Sequence, residues 1–168
     1  MYGVRRIVQY NIRHATPEDD DFIVICARNA FEESPYVGLN TFSEERVRKT
    51  IEFLRSLGKN KAIMLVAETP DKQIVGLFGA MVSFTTMGLE ETAMEVLWWV
   101  HPIARKTRLA ITLIDAFEFW AGKLGITKLV LGSMENSHAN AIQRFYEKKG
   151  YKFTERTYFK EIKNGSSN

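Results

Sequence analysis

Apolar and polar residues recur along this chain with two different periods, and each change of period marks a new element. "QYNIRHAT" alternates as a short strand, and "TPEDD" reads as a turn into a helix. Thr16 or an early aspartate can cap that helix, Pro17 suits its first turn, and the acids favour the positive end of its dipole. The helix expected over "DFIVICARNAFEES" places Phe22, Ile25, Cys26, Asn29 and Ala30 on one side. Pro35 and Gly38 interrupt the pattern. A second helix begins near Thr41 or Ser43, carries Val47, Ile51, Leu54 and Leu57 at helical spacing, and ends at Gly58.

The period then shortens to two. "KAIMLVAET" and "QIVGLFGAMVSFT" read as strands joined across "PDKQ", and "ETAMEVLWWVHP" is a third β run that stops at Pro102. Helical spacing returns in "IARKTRLAITLIDAFEFWAGKLG", with Ala110, Leu113, Ile114, Phe117, Trp120, Ala121 and Leu124 on one face and Gly125 at the end. "TKLVLGSM" is nearly continuous in apolar residues, the pattern of a strand covered on both sides. "NAIQRFYEKKGY" is an amphipathic helix stopped by Gly150, and "YKFTERTYFKEI" alternates as a last strand or hairpin. The order of strand, two helices, three strands, helix, strand, helix and strand predicts an α+β fold, a mixed sheet with helices packed on its faces. No repeat or linker divides the chain, so one domain is expected over residues 1–163, with 164–168 as a frayed polar tail.

Composition narrows the classes of function. With 168 residues, 45% apolar and 26% charged, the chain suits one soluble globular domain. No apolar run reaches the ~18–20 residues of a membrane span, and the start lacks a secretory pattern. One cysteine, Cys26, excludes an internal disulfide, and a cytoplasmic location is the default expectation. A net charge of +3 is too small to argue for nucleic acid, although "VRRIVQYNIRH" and "ARKTR" are locally basic. No nucleophile elbow, P-loop, dinucleotide fingerprint or zinc helix is present, and His14, His101 and His138 are scattered. No metal site is expected.

The junction "WWVHPIARKTRLA" carries more chemistry. A strand runs through a proline and a basic loop into a helix, whose first amides have no internal partner and lie at the positive end of the dipole. Arg105, Lys106 and Arg108 add full charges, and the whole suits a pyrophosphate; the bland alternative is a basic solvated turn. Glu95 lies within the apolar run "AMEVLWWV", where a carboxylate needs a partner, water or a raised pKa. Alternation puts Glu95, Leu97 and Trp99 on one face unless a bulge intervenes. The alternative is an edge glutamate facing solvent.

With these stretches the chain resembles the GCN5-related N-acetyltransferase (GNAT) superfamily from "IRHATPEDD" to "YFKEI". The superfamily motif Arg/Gln-x-x-Gly-x-Gly/Ala, three residues after a proline, is matched by Arg105 and Ala110, with Arg108 where glycine is usual. A second motif, Asn-x-x-x-x-x-Tyr-x-x-x-Gly-Phe/Tyr, is matched by Asn140, Tyr146, Gly150 and Tyr151. The resemblance implies a three-layer, mostly antiparallel fold whose fourth and fifth strands splay apart to admit acetyl-CoA. It implies that backbone at Trp99 and Val100 pairs with the pantetheine arm. Amides of Lys106, Thr107, Arg108, Leu109 and Ala110 would hold the pyrophosphate, and Asn140 would bond near the arm. Tyr146 would give a proton to the leaving thiolate, with Glu95 or a water chain as base. The alternative for Tyr146 is a packed aromatic with its hydroxyl satisfied. The acceptor would be a small-molecule or peptide amine, and a homodimer through edge strands is open. A non-catalytic CoA-binding or protein-docking module on the same fold is the alternative function.

Overall fold

A computed structural model of the chain describes residues 9–135 and 139–162. Its contacts divide into two compact units, Met1–Ala30 with Phe42–Gly132, and Phe31–Thr41 with Ser133–Asn168. The basic residues 4–8, His138 and the tail 164–168 lie outside the described residues.

The first unit is built on a five-stranded sheet of β1 (Asn11–His14), β2 (Ala62–Glu68), β3 (Ile74–Phe84), β4 (Glu91–Val100) and β5 (Lys128–Val130), in that spatial order. The first three pairings are antiparallel and β4–β5 is parallel, so the sheet is mixed, as expected. Helix α1 (Asp20–Glu32) follows a short 3-10 turn at Pro17–Asp19. Helix α2 (Glu44–Ser56) is capped by the Ser43 hydroxyl, which accepts the Arg46 amide at 3.3 Å. Helix α3 (Leu109–Lys123) is the crossover that a parallel β4–β5 pair requires.

Side-chain alternation on β3 sorts the helices between the two faces. Leu77 joins Ile23, Val24 and Cys26 of α1, Ile51 of α2, and Val66 and Trp99 in one buried cluster. Phe78, on the opposite face, packs against Phe117 of α3 with ring centroids 5.0 Å apart. Gly76 shares that face. A Cβ there would lie 3.1 Å from the Leu113 side chain and 3.2 Å from those of Leu109 and Ala67, so glycine lets α3 settle closely on the sheet. Each fully buried Phe or Leu side chain here contributes about 1.5–3 kcal/mol.

A buried charge network fixes the entry to this unit. Asp19 and Glu68 are each 5% exposed, and Arg13 joins them, donating to both Asp19 oxygens at 2.6 and 2.9 Å and through Nε to Glu68 at 2.9 Å. The Arg13 guanidinium holds the Asp19 carboxyl down at about 2 and lowers that of Glu68 too. Asp19 also accepts the Thr16 amide at 2.7 Å, so one side chain both caps the turn and binds β1.

Three expectations need correction. The buried stripe of α1 is Ile23, Val24, Cys26 and Ala27, whereas Phe22 and Ile25 are half exposed. Strand β5 is three residues long and largely exposed, because among the described residues it is the last strand of the sheet and has a neighbour on one side alone. From Tyr151 to Ile162 no strand forms among the described residues, although the sequence alternates there.

The second unit contains helix α4 (Ala139–Lys148). It closes in a Schellman arrangement: Gly150, at φ 90, donates to the Glu147 carbonyl, and the Tyr151 amide donates to the Tyr146 carbonyl at 3.0 Å.

Candidate active site

Strand β4 changes character half-way along. Ala80 of β3 lies opposite Glu95, but Gly79 lies opposite Leu97, so Val96 is an extra residue and β4 bulges there. Opposed residues on antiparallel neighbours share a face. Glu95 therefore goes with Ala80 and Phe78, while Leu97 and Trp99 go with Gly79 and Leu77. The alternation expected for Glu95, Leu97 and Trp99 is broken at that one residue.

The same point is the fork of the sheet. β4 pairs with β5 only through Thr92–Lys128, Ala93–Leu129 and Met94–Val130. Beyond Met94 no further β4–β5 pair forms among the described residues. Glu95 is the first residue past the fork, and its Oε2 accepts the Gly132 amide at 2.9 Å, a side chain standing where the ladder has stopped. Burial pushes the Glu95 carboxyl up to about 7, against the pull of that amide, which favours the charged form. A carboxyl poised there changes between acid and base near neutral pH.

The splayed half of β4 leads into the basic loop. His101 Nδ1 accepts the Ile103 amide at 3.3 Å and its ring meets Trp99 edge-on at 5.7 Å, so this histidine shapes the strand end. Arg105 Nε donates to the Val100 carbonyl at 2.8 Å, and its guanidinium lies 6.0 Å from the Trp99 ring centroid. That bond uses one lone pair of a backbone acceptor expected to face the pantetheine arm. Thr107 Oγ1 donates to the Ala104 carbonyl at 2.6 Å and accepts the Leu109 amide at 3.2 Å.

Helix α3 starts at Leu109, directly after the basic loop, and Arg108 is its N-cap at φ −83, ψ 3. No left-handed backbone is needed there, which is why arginine stands where the motif has glycine. Among the described residues the amides of Ala110 and Ile111 bond to no carbonyl, as first-turn amides should. Lys106 and Arg108 are exposed around them and Arg105 is half-buried. Free amides, a helix dipole and three cations fit a pyrophosphate, and the open side of β4 fits an extended arm.

In the second unit Asn140 is exposed on the first turn of α4, and Tyr146 is the one buried residue of that helix. Ile142 and Phe145 of the same helix are only half-buried. Tyr146 lies between the rings of Phe145 at 5.9 Å and Tyr151 at 5.8 Å. The spacing Tyr-x-x-x-Gly-Tyr thus has a physical reason: Gly150 permits the turn that brings Tyr151 back onto Tyr146.

A family model described as "Acetyltransferase (GNAT) domain" matches residues 60–153, more than half of the chain. The chain belongs to the GNAT acetyltransferase family. The match begins just before β2 and runs past the turn after α4. Solved GNAT structures superpose along nearly the whole of it. The aminoglycoside antibiotic 6'-N-acetyltransferase AAC(6')-IG of Acinetobacter haemolyticus has a TM-score of 0.67 at 17% identity, covering 92% of this chain and 99% of that one. An acetyltransferase of Trypanosoma brucei has a TM-score of 0.67 at 20% identity, covering 92% of this chain and 100% of its own. The aminoglycoside acetyltransferase AAC(6')-Iy, solved with a CoA-linked bisubstrate analogue, scores 0.69 at 16% identity, covering 93% of this chain and 99% of that one. No curated protein sequence matches this GNAT chain. Among the described residues no three or more His, Cys, Asp or Glu side chains are grouped so as to hold a metal ion, and no helix is long and apolar enough to cross a membrane.

Proposed function

We propose that this acetyltransferase takes its acetyl group from acetyl-CoA and passes it to a primary amine by direct attack while both are bound. The observation that carries this reading is the continuity of the splayed half of β4 with the free amides and cations at the start of α3. A thioester arm would lie along the open strand, and its pyrophosphate would meet Lys106, Arg108 and the α3 amides.

Glu95 accepts the proton that the amine must lose before its nitrogen lone pair forms a bond to the thioester carbonyl carbon. Its raised pKa makes it a competent acceptor close to pH 7. The carbon–sulfur bond then breaks with its electron pair on sulfur, and Tyr146 gives its phenolic proton to that thiolate. The proton on Glu95 and the phenolate on Tyr146 are exchanged with solvent, restoring both groups. Tyr151 and Gly150 act as positioning residues for Tyr146, through the turn and ring contact that fix it. Asn140 bonds to the arm.

Acceptors with several amino groups head the candidates, because two of the solved neighbours are aminoglycoside acetyltransferases. Titration of the full chain with acetyl-CoA and desulfo-CoA by calorimetry tests the donor half. Saturable binding, followed by acceptor-dependent release of free thiol across a screen of aminoglycosides, polyamines and lysine peptides, is the expected result. Absence of binding at millimolar concentration would overturn the reading.

A further inference from the structure

An apolar cavity of about 30 Å³ opens beside the β4 bulge, inside the first unit. Its walls include Val96 and Leu97 of β4, Gly79 and Leu77 of β3, and Ile51 and Leu54 of α2. The one polar side chain that reaches it, Thr50, already donates its hydroxyl to the Arg46 carbonyl at 2.9 Å. A single water needs about 10–15 Å³ of such space and two or more polar partners, so this space has room for about two non-hydrogen atoms and little to hold water. It also lies in a telling direction. If pyrophosphate is held at the start of α3, the arm runs back along β4 past Val100 and Trp99, and the acyl end arrives near Leu97 and Val96.

Resting on the donor reading above, we infer that this cavity takes the terminal carbons of an acyl group longer than acetyl. Propionyl-CoA and butyryl-CoA are then donors as well as acetyl-CoA. The acyl methylenes replace an apolar void, which forfeits contacts on every wall while empty. Gly79 sets the capacity. A Cβ at Gly79 would meet Leu54 Cδ1 at 3.7 Å and the Leu97 carbonyl oxygen at 3.8 Å, both ordinary contacts. Gly79→Ala therefore fills part of the cavity without displacing a neighbour.

Calorimetric titration of the full chain with acetyl-, propionyl-, butyryl- and octanoyl-CoA tests the inference. In the unaltered protein propionyl-CoA binds about fourfold more tightly than acetyl-CoA, the worth of one buried methylene, and octanoyl-CoA binds more weakly than butyryl-CoA. In Gly79→Ala the propionyl advantage falls to less than about twofold, while affinity for acetyl-CoA stays within about twofold of the unaltered protein. Val47→Ile, which adds a methylene from the α2 wall, does the same and serves if the first variant misfolds. Propionyl-CoA binding more weakly than acetyl-CoA, or keeping its full advantage in both variants, overturns the inference and leaves the acetyl reading standing. Failure of acetyl-CoA itself to bind overturns the donor reading, and this inference with it.

Discussion

Replacing Glu95 by glutamine should make the protein more stable in alkaline solution and leave it nearly unchanged in acid. In the fold the Glu95 carboxyl is pushed up to about 7 from an ordinary value of 4.5. The native state therefore holds a proton that the unfolded chain has lost between those two pH values. Stability must fall as pH rises through that window and level off above it. Each pH unit of separation corresponds to about 1.4 kcal/mol, and the side chain is half-buried, so the ionised carboxylate costs the fold about 2–3 kcal/mol. Glutamine has the same shape, keeps an oxygen for the Gly132 amide, and carries no charge. Urea unfolding of both proteins from pH 5 to pH 8.5 measures the difference directly. The two curves should agree within about 1 kcal/mol at pH 5, and Glu95→Gln should lead by about 2–3 kcal/mol at pH 8.5. Parallel curves across the range would mean that Glu95 ionises normally, and would remove the physical ground for making it a base near neutral pH.

In the enzymatic assay, kcat/KM of the unaltered protein should rise about tenfold per pH unit below pH 7 and flatten above it, and Glu95→Gln should lose that limb. Tyr146→Phe should cut turnover about 10–1000-fold while CoA still binds in calorimetry; unchanged turnover would retire Tyr146 as the acid. Arg108→Ala and Lys106→Ala should each weaken CoA about 3–10-fold and spare a truncated pantetheine thioester, whereas equal losses for both ligands would point to a folding defect. Arg13→Met should cost about 2–4 kcal/mol at pH 7 by stranding Asp19 and Glu68. Both carboxyls have lowered pKa values, so their share of stability is present above the ordinary carboxylate range and is lost as pH falls through the lowered values, that of Asp19 at about 2. The gap between Arg13→Met and the unaltered protein should accordingly close on acidification, as read by thermal melts.

Much of the fold is legible in the sequence, because helical spacing, strand alternation and terminal glycines are local signals. The limits of α2 and β2–β4 follow directly from them, as does the arrest of α4 at Gly150. What the pattern could not supply depends on residues distant in the chain. The buried stripe of α1 was misplaced because Phe22 and Ile25 are apolar yet half exposed, and only the sheet decides which side of a helix is covered. The basic loop before α3 is legible as a loop, but the 3-10 turn at Pro102–Ala104 within it leaves no periodic signal in three residues. Of the candidate site, Arg105, Lys106, Arg108 and Glu95 were readable as charges out of place. The role of His101 at the strand end was not, since a hydrogen bond to Ile103 leaves no trace in composition. Tyr151 was visible as a motif position, but its reason, a ring laid back on Tyr146, needed three-dimensional contacts.

The bulge at Val96 also bears on how this chain tolerates change in length. A strand with one residue too many is two strands in series, each with its own phase. In Glu91–Glu95 the odd-numbered residues lie on the α3 face with Ala80 and Phe78, and in Leu97–Val100 the odd-numbered residues lie on the α1 and α2 face with Leu77. Substitutions within either half act locally. Deleting Val96 would take out the extra residue and leave Glu95 opposite Ala80 and Leu97 opposite Gly79 with every side chain on its present face, whereas deleting a residue elsewhere in β4 would turn part of the strand over. With Val96 gone, the carboxylate at the fork would stay on the α3 face, and the ladder to β3 would become regular as the kink beside it disappeared. The bulge is thus the place where a change of length disturbs the pairing least, and a deletion scan along β4 would find its shallowest point at Val96.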